Sequence, residues 1–308
     1  SILSARVLFF LLFFMFYALI GFVVSGDFKS FLGFIFGIIF FALICMYFSV
    51  KDINKYSYWI LVTLVSTFFV QFFSSLILVD PINYHAIIGE LPRLQNDLGY
   101  RTAGLYLEPT SYCAMTFIII SIRFLNNHFG RWEAIGILTI FLSASLYGLF
   151  VALTLLMMWA LQSKQFKKLV LYSGVLLIAC FLLNSIFAES ILSPHLQFLL
   201  FERLSSITTD ASVLVRYGIT LDESSFAQLI FGSGLSTPNS GAIGSSGFAY
   251  LIGGVGFLGF LIFLTLLANL FRARLSLIIT SIFVILMSSY YWTFMAFWLW
   301  LAWMYISV

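Results

Sequence analysis

Ten apolar runs alternate with polar stretches along this chain, at 7–25, 31–50, 58–79, 109–125, 133–145, 147–162, 169–188, 247–271, 275–289 and 292–307. A run of about 20 apolar residues can cross the hydrocarbon core of a bilayer as a helix. The pattern therefore predicts an all-α polytopic membrane protein of about ten transmembrane helices. The fifth and sixth runs require a tight turn at Ser143-Ala-Ser145-Leu-Tyr-Gly148; the alternative is one long tilted helix through it. The last run carries Trp292, Trp298, Trp300, Trp303 and Tyr305, which suits interfacial anchoring and packing.

Charge placement orients these spans. One side carries Arg6, Lys51, Lys55, Arg123, Arg131, Lys164, Lys167, Lys168, Arg272 and Arg274. The other carries Lys29, Arg93, Arg101, Arg203 and Arg216, together with all the acids except Asp52 and Glu133. Retained loops are enriched in Lys and Arg, so the first side is expected to be cytoplasmic, with both chain ends on it. The two long polar loops, 80–108 and 189–246, then face the outer side of a single transmembrane domain covering 1–308. Function is expected in those loops.

Composition agrees with this class: 62% of the residues are hydrophobic, 9% are charged, and 37 are Phe. Mean hydropathy is +1.08. A net charge of +3 is too small to suggest nucleic acid. The segment 2–24 reads as a spanning helix rather than a cleaved secretory signal. Cys45, Cys113 and Cys180 all fall in apolar runs without metal-ligand spacing and are expected to be small buried hydrophobes.

The first outer loop ends in Tyr-Arg101-Thr-Ala-Gly104-Leu-Tyr-Leu-Glu108-Pro109-Thr-Ser111. Pro109 fits the first turn of a helix, where a missing N–H leaves no bond unmade. Glu108 therefore stands where a polar space meets a membrane helix. It is a candidate general base; its structural alternative is to complement the helix dipole and pair with Arg101 or a backbone N–H.

In the second outer loop, Leu196, Leu199, Leu200, Leu204 and Ile207 follow helical spacing, predicting an amphipathic helix in the interface. Arg203 falls within that apolar stripe, so it must snorkel, pair or reach a polar cavity. Asp210 is a fair N-cap for a short helix carrying Arg216. Phe231-Gly232-Ser-Gly234 precedes a Gly/Ser-rich passage at 236–247 that reads as a mobile loop. Three outer arginines (Arg101, Arg203 and Arg216) suit a polyoxygen anion, because guanidinium binds phosphate bidentately and stays charged. A membrane-anchored pyrophosphate is the natural ligand; the plainer alternative is lipid headgroups, or pairing with Asp97, Glu202 or Asp210.

These segments resemble the O-antigen polymerase and ligase superfamily, the Wzy-type polymerases in particular. Arg101-x-x-Gly104…Glu108-Pro109-Thr-Ser111 is similar to its Arg-x-x-Gly…Glu-Pro-Ser segment, and Ser143-x-Ser145-x-x-Gly148 to its interhelical turn. Arg203, Ser212-x-x-x-Arg216 and Gly232-x-Gly234 resemble its second outer-loop pattern, and Gly256-x-x-Gly259 its following helical pair. The resemblance covers roughly residues 101–259. Ligases of this superfamily carry a His-Asn pair about eleven residues before the helical glycine, where this chain has Ser245-Ser246. That departure favours a polymerase.

The resemblance implies a GT-C-like glycosyltransferase of the bacterial inner membrane, active on its periplasmic side. It would transfer a growing glycan from undecaprenyl pyrophosphate to the non-reducing sugar of another lipid-linked repeat unit. Arg101, Arg203 and Arg216 would hold the pyrophosphate, and Glu108, with Asp210 behind it, would serve as base. His195, Gly232 and Gly234 are possible accessory residues, and His85 reads as an ordinary loop residue. Membrane lipid and a chain-length regulator are the further partners it implies. No Asp-x-Asp or His cluster suggests a metal, and no cofactor is expected. The amphipathic helix would gate lipid tails. The other readings are ligase-type transfer to a different acceptor and a transporter of a lipid-linked anion. For a transporter the mid-membrane candidates are Gln71 and Gly253-Gly254-Val-Gly256, although close helix packing accounts for those glycines equally well.

Overall fold

A computed structural model describes residues 5–77, 82, 84, 95, 96, 99, 100, 102–106, 108–143, 145–163, 230–232, 234, 247–270, 281, 282, 284 and 295–307. The described helices, in chain order, are α1 (Ala5–Ser25), α2 (Phe28–Tyr47), α3 (Val50–Ile77), α4 (Pro109–Leu125), α5 (Arg131–Leu142), α6 (Leu146–Ser163), α7 (Gly247–Leu270) and α8 (Met295–Ser307). The other regular structure among the described residues is a two-residue antiparallel ladder of β1 (Gln95–Asn96) with β2 (Gly99–Tyr100). The expected span at 169–188 lies outside the described residues, as does most of that at 275–289.

Among the described residues, three helices hold segments long and apolar enough to cross a membrane: Arg6–Val24, Val50–Ser74 and Leu251–Asn269. Their surfaces carry the same message. On α1, Val7, Phe10, Phe14 and Ala18 are buried, while Leu8, Phe9, Leu12, Phe16, Leu19 and Val23 are exposed. A helix apolar on its exposed face as well as its packed face belongs against lipid.

The chain divides into two compact units, Ser1–Asn54 with Thr209–Val308, and Lys55–Thr208. In the first, α1 and α2 form an antiparallel hairpin through Gly26, with Phe22 on Phe31 and Phe14 near Phe34. Helix α7 runs antiparallel to α1, bringing Phe263 to Phe10 and Phe14, Gly259 to Tyr17, and the Asn269 carbonyl to the Arg6 guanidinium (3.4 Å). Helix α8 runs parallel to α2, with Trp298 against Gly37 and Tyr305 near Phe41. Phe14 is the centre of this core, meeting Phe297 and Trp298 as well as Phe263. Aromatic edges and faces make up its contacts, which explains the heavy use of Phe.

In the second unit α3 and α4 are antiparallel, Phe68 stacking on Tyr112 at 4.9 Å while the Arg123 guanidinium lies 5.3 Å from the Tyr58 ring. Helices α5 and α6 return on α4 as a hairpin. Its apex at Ser143 meets Cys113, and its far end brings Gln162 Nε2 to the Phe124 carbonyl and Asn127 Oδ1, each at 2.8 Å. The expected turn at 143–148 is therefore present, in place of one continuous helix. Helix α5 has 12 residues, about 18 Å of rise, which is short of the roughly 30 Å hydrocarbon core.

Element starts follow local chemistry. Helix α4 begins at Pro109, as its sequence predicts. Helix α3 begins eight residues before the expected 58. Ser49 and Asp52 exchange bonds there: the Ser49 N–H donates to Asp52 Oδ2 (3.1 Å) and the Asp52 N–H to Ser49 Oγ (3.3 Å). That reciprocal cap starts the helix regardless of hydrophobicity.

Arg123 and Glu133, assigned by charge counting to one aqueous side, are a buried pair. The Arg123 Nε donates to Glu133 Oε1, and Glu133 Oε2 accepts the Gly130 N–H at 2.6 Å. Arg123 is also in the last turn of α4, where a cation complements the helix dipole. Removing the acid alone strands a buried guanidinium. Glu133→Ala should therefore destabilise the protein by about 3–5 kcal/mol, read as a drop in melting temperature in detergent. Combining Arg123→Met with Glu133→Leu should recover most of that loss.

Candidate functional site

The residues leading into Glu108 are fixed to α3 by one side chain. Gln71 lies near the end of α3 and is fully buried. Its Oε1 accepts the backbone N–H groups of Ala103 (2.8 Å) and Gly104 (2.7 Å), while Nε2 donates to the Ile82 carbonyl (3.1 Å). A primary amide can do this because its oxygen has two lone pairs and its nitrogen two hydrogens. Ser74, one turn further on, accepts the Ile82 N–H (3.0 Å) and donates to the Gln71 carbonyl (2.7 Å). Tyr84 OH donates to the Thr67 carbonyl (3.2 Å), and burial raises its pKa. Both ends of the first polar loop are thereby tied to the stretch of α3 between Thr67 and Ser74.

The tethered segment is a tight turn. Gly104 has φ +57°, and the Tyr106 N–H donates to the Ala103 carbonyl (3.1 Å). Tyr106 lies 6.5 Å from Tyr112, whose OH donates to Thr139 Oγ1 (2.6 Å) and so links α4 to α5. Glu108 follows at the N-cap position of α4, with extended backbone (φ −132°, ψ 143°). Its carbonyl accepts the Tyr112 N–H (3.2 Å), and its half-exposed side chain makes no cap hydrogen bond. Arg101 lies outside the described residues, between Tyr100, paired with Gln95 in the ladder, and the buried Thr102.

The end of the second polar loop is tied down by backbone instead. Helix α7 is broken at Gly256 (φ 70°, ψ 177°), and Ile230, Gly232 and Gly234 come against it there. The Gly234 N–H donates to the Gly254 carbonyl (2.8 Å). A Cβ on Gly232 would collide with the Gly254 carbonyl, and one on Gly256 with the Ile230 carbonyl. All three crossing glycines, Gly232, Gly234 and Gly256, have positive φ. Gly256, which in sequence suggested helix packing, therefore marks a helix break, and Gly232 and Gly234 make a close backbone crossing over it. His195, Arg203, Asp210 and Arg216 lie outside the described residues, and so does the amphipathic helix expected over 196–207.

The Ser-x-Ser-x-x-Gly turn has a packing role. Cys113 Sγ and Ser143 Oγ lie 3.0 Å apart, and Ser143 Oγ donates to the Ile140 carbonyl (2.6 Å). A Cβ on Gly148 would fall 2.8 Å from Cys113 Sγ and from that carbonyl, so α6 can start there only without a side chain. Among the described residues no group of three His, Cys, Asp or Glu side chains is placed to hold a metal. No protein-family model, curated protein or solved structure matches this chain.

In the sequence Gln71 is a mid-membrane candidate for a transporter; its loop partners begin 11 and 32 residues away and carry no sequence signal. Gly232→Ala and Gly256→Ala each add a side chain where backbone atoms cross, at positive φ. Each should lower stability by about 2 kcal/mol or more, visible as a lower melting temperature in detergent. Ala at Gly26, where nothing lies near the added Cβ, should cost less.

Proposed function

We propose that this chain is a membrane-embedded glycosyltransferase that polymerises lipid-pyrophosphate-linked oligosaccharide repeat units. The observation that carries the reading is the tethered segment 102–108. A glycine turn, held by buried hydrogen bonds to a membrane helix, leads directly into Glu108, the residue before α4. A general base needs a fixed position as much as a suitable pKa.

In the proposed reaction the hydroxyl of the acceptor's non-reducing sugar attacks the anomeric carbon of the donor glycan. The bond from that carbon to the pyrophosphate oxygen breaks, and the lipid pyrophosphate leaves. Glu108 takes the hydroxyl proton. Arg101, Arg203 and Arg216 hold the pyrophosphate and stabilise the negative charge that grows on it. Three guanidinium groups provide this without a metal. Asp210 is the second candidate base, and His195 is an accessory residue beside the interfacial helix.

The topology proposed for this function has ten spans, with both polar loops on the outer, periplasmic side of a bacterial inner membrane. Helix directions support it: α2 is antiparallel to α1, α7 antiparallel to α1 and α8 parallel to α2. In the other unit α3 to α6 alternate. The break in α7 favours a second reading, transport of a lipid-linked anion, because transporters build sites from broken helices. That reading is the weaker, since the residues crossing the break already bond to it.

Purified protein given one defined lipid-pyrophosphate repeat unit should build a ladder of glycan lengths on a resolving gel. Arg101→Ala and Arg216→Ala should reduce turnover about 100-fold or more while the melting temperature holds. Glu108→Gln should do the same if Glu108 is the base, and an undiminished ladder reassigns it to structure. Transfer to an added acceptor without a ladder would mean a ligase.

A further inference from the structure

We propose that Gln71 is a positioning residue for this transfer, locking the two ends of the first outer loop together so that Glu108 stands in a fixed place. The inference rests on the function proposed above for its activity, and on geometry alone for the lock.

The lock needs three bonds from one side chain. Two amide hydrogens (Ala103 and Gly104) converge on Oε1, and one carbonyl (Ile82) lies on Nε2. Ile82 stands near the start of the loop and Ala103–Gly104 near its end, so the loop closes on Gln71 rather than on itself. The side chain is fully buried and comes from a helix with an apolar segment spanning Val50–Ser74. In that setting a glutamine makes all three bonds or leaves buried polar groups unpaired. Leu matches its bulk and can make none of the bonds. Asn is one methylene short of the reach. Glu reproduces the set only when protonated, because only then does it keep a donor for Ile82.

A purely packing role would tolerate Leu. A positioning role predicts separate effects on loop order and on turnover. The bonded backbone lies two residues after Arg101 and four before Glu108, so loss of the lock shifts both the base and one pyrophosphate contact, and kcat should fall with or without a rise in KM for the lipid-linked unit.

Hydrogen exchange by mass spectrometry and steady-state transfer should be measured together on wild type, Gln71→Leu and Gln71→Glu in detergent. In Gln71→Leu the Ala103 and Gly104 amides should exchange at least about 10-fold faster, with kcat lowered by at least about 10-fold. Amides of α4 and α6 should keep their protection. If Gln71→Leu does not fold, Gln71→Glu carries the test. Its kcat relative to wild type should approach unity in acidic buffer and fall as the pH rises and the carboxyl ionises. Unchanged protection at Ala103 and Gly104 in Gln71→Leu overturns the lock. Lost protection with undiminished kcat overturns the positioning role, as does a kcat ratio for Gln71→Glu that does not depend on pH. A wild type that forms no glycosidic bond overturns the functional reading itself, and the exchange data then judge the lock alone.

Discussion

A bilayer interior supplies no water to an unpaired N–H or C=O, so wherever a membrane helix stops, something nearby must take up the freed groups. Among the described residues, three irregular points meet that demand with a specific partner. Where the chain returns to α4, Gln71 takes up the Ala103 and Gly104 amides. At the α7 break, the Gly254 carbonyl accepts the Gly234 N–H. At the end of α5, Ser143 bonds back to the Ile140 carbonyl. The polar residues of the spans are few, and several of the buried ones have this task.

That constraint also shapes the route to function. Loops are free to vary, yet chemistry needs side chains held to within fractions of an ångström. Tying a loop end to a rigid helix reconciles the two, by a side chain for the first loop and by crossing backbone for the second. For the function proposed, electrostatics would supply the remaining element: guanidinium groups at the edge of a low-dielectric slab would attract a lipid-bound pyrophosphate more strongly than in open water.

Much of the architecture can be read from the chain. The start of α4 follows from Pro109, and the turn at 143–148 from its small polar residues. The start of α3 does not show in hydrophobicity, because the Ser49–Asp52 cap extends the helix through Lys51 and Lys55 into polar sequence. Arg123 and Glu133 were legible as charges but not as a buried pair, since only the α4–α5 packing brings them together. Gln71 was legible as an oddity and its purpose was not, because its partners are set by how the loop folds back. Gly232 and Gly234 stood out as a loop motif and Gly256 as part of a glycine-rich helix, but that they meet in one backbone crossing is not visible in composition.

The most direct test of the account is stoichiometric. Purified protein should be given a lipid-pyrophosphate repeat unit with the label in its lipid, and the free lipid pyrophosphate counted against the glycosidic bonds formed. A polymerase of the proposed kind releases one lipid pyrophosphate for every new bond, with the glycan still carried on a single lipid. Labelled lipid that crosses a vesicle membrane intact, with no bond formed and no lipid pyrophosphate released, would contradict the account.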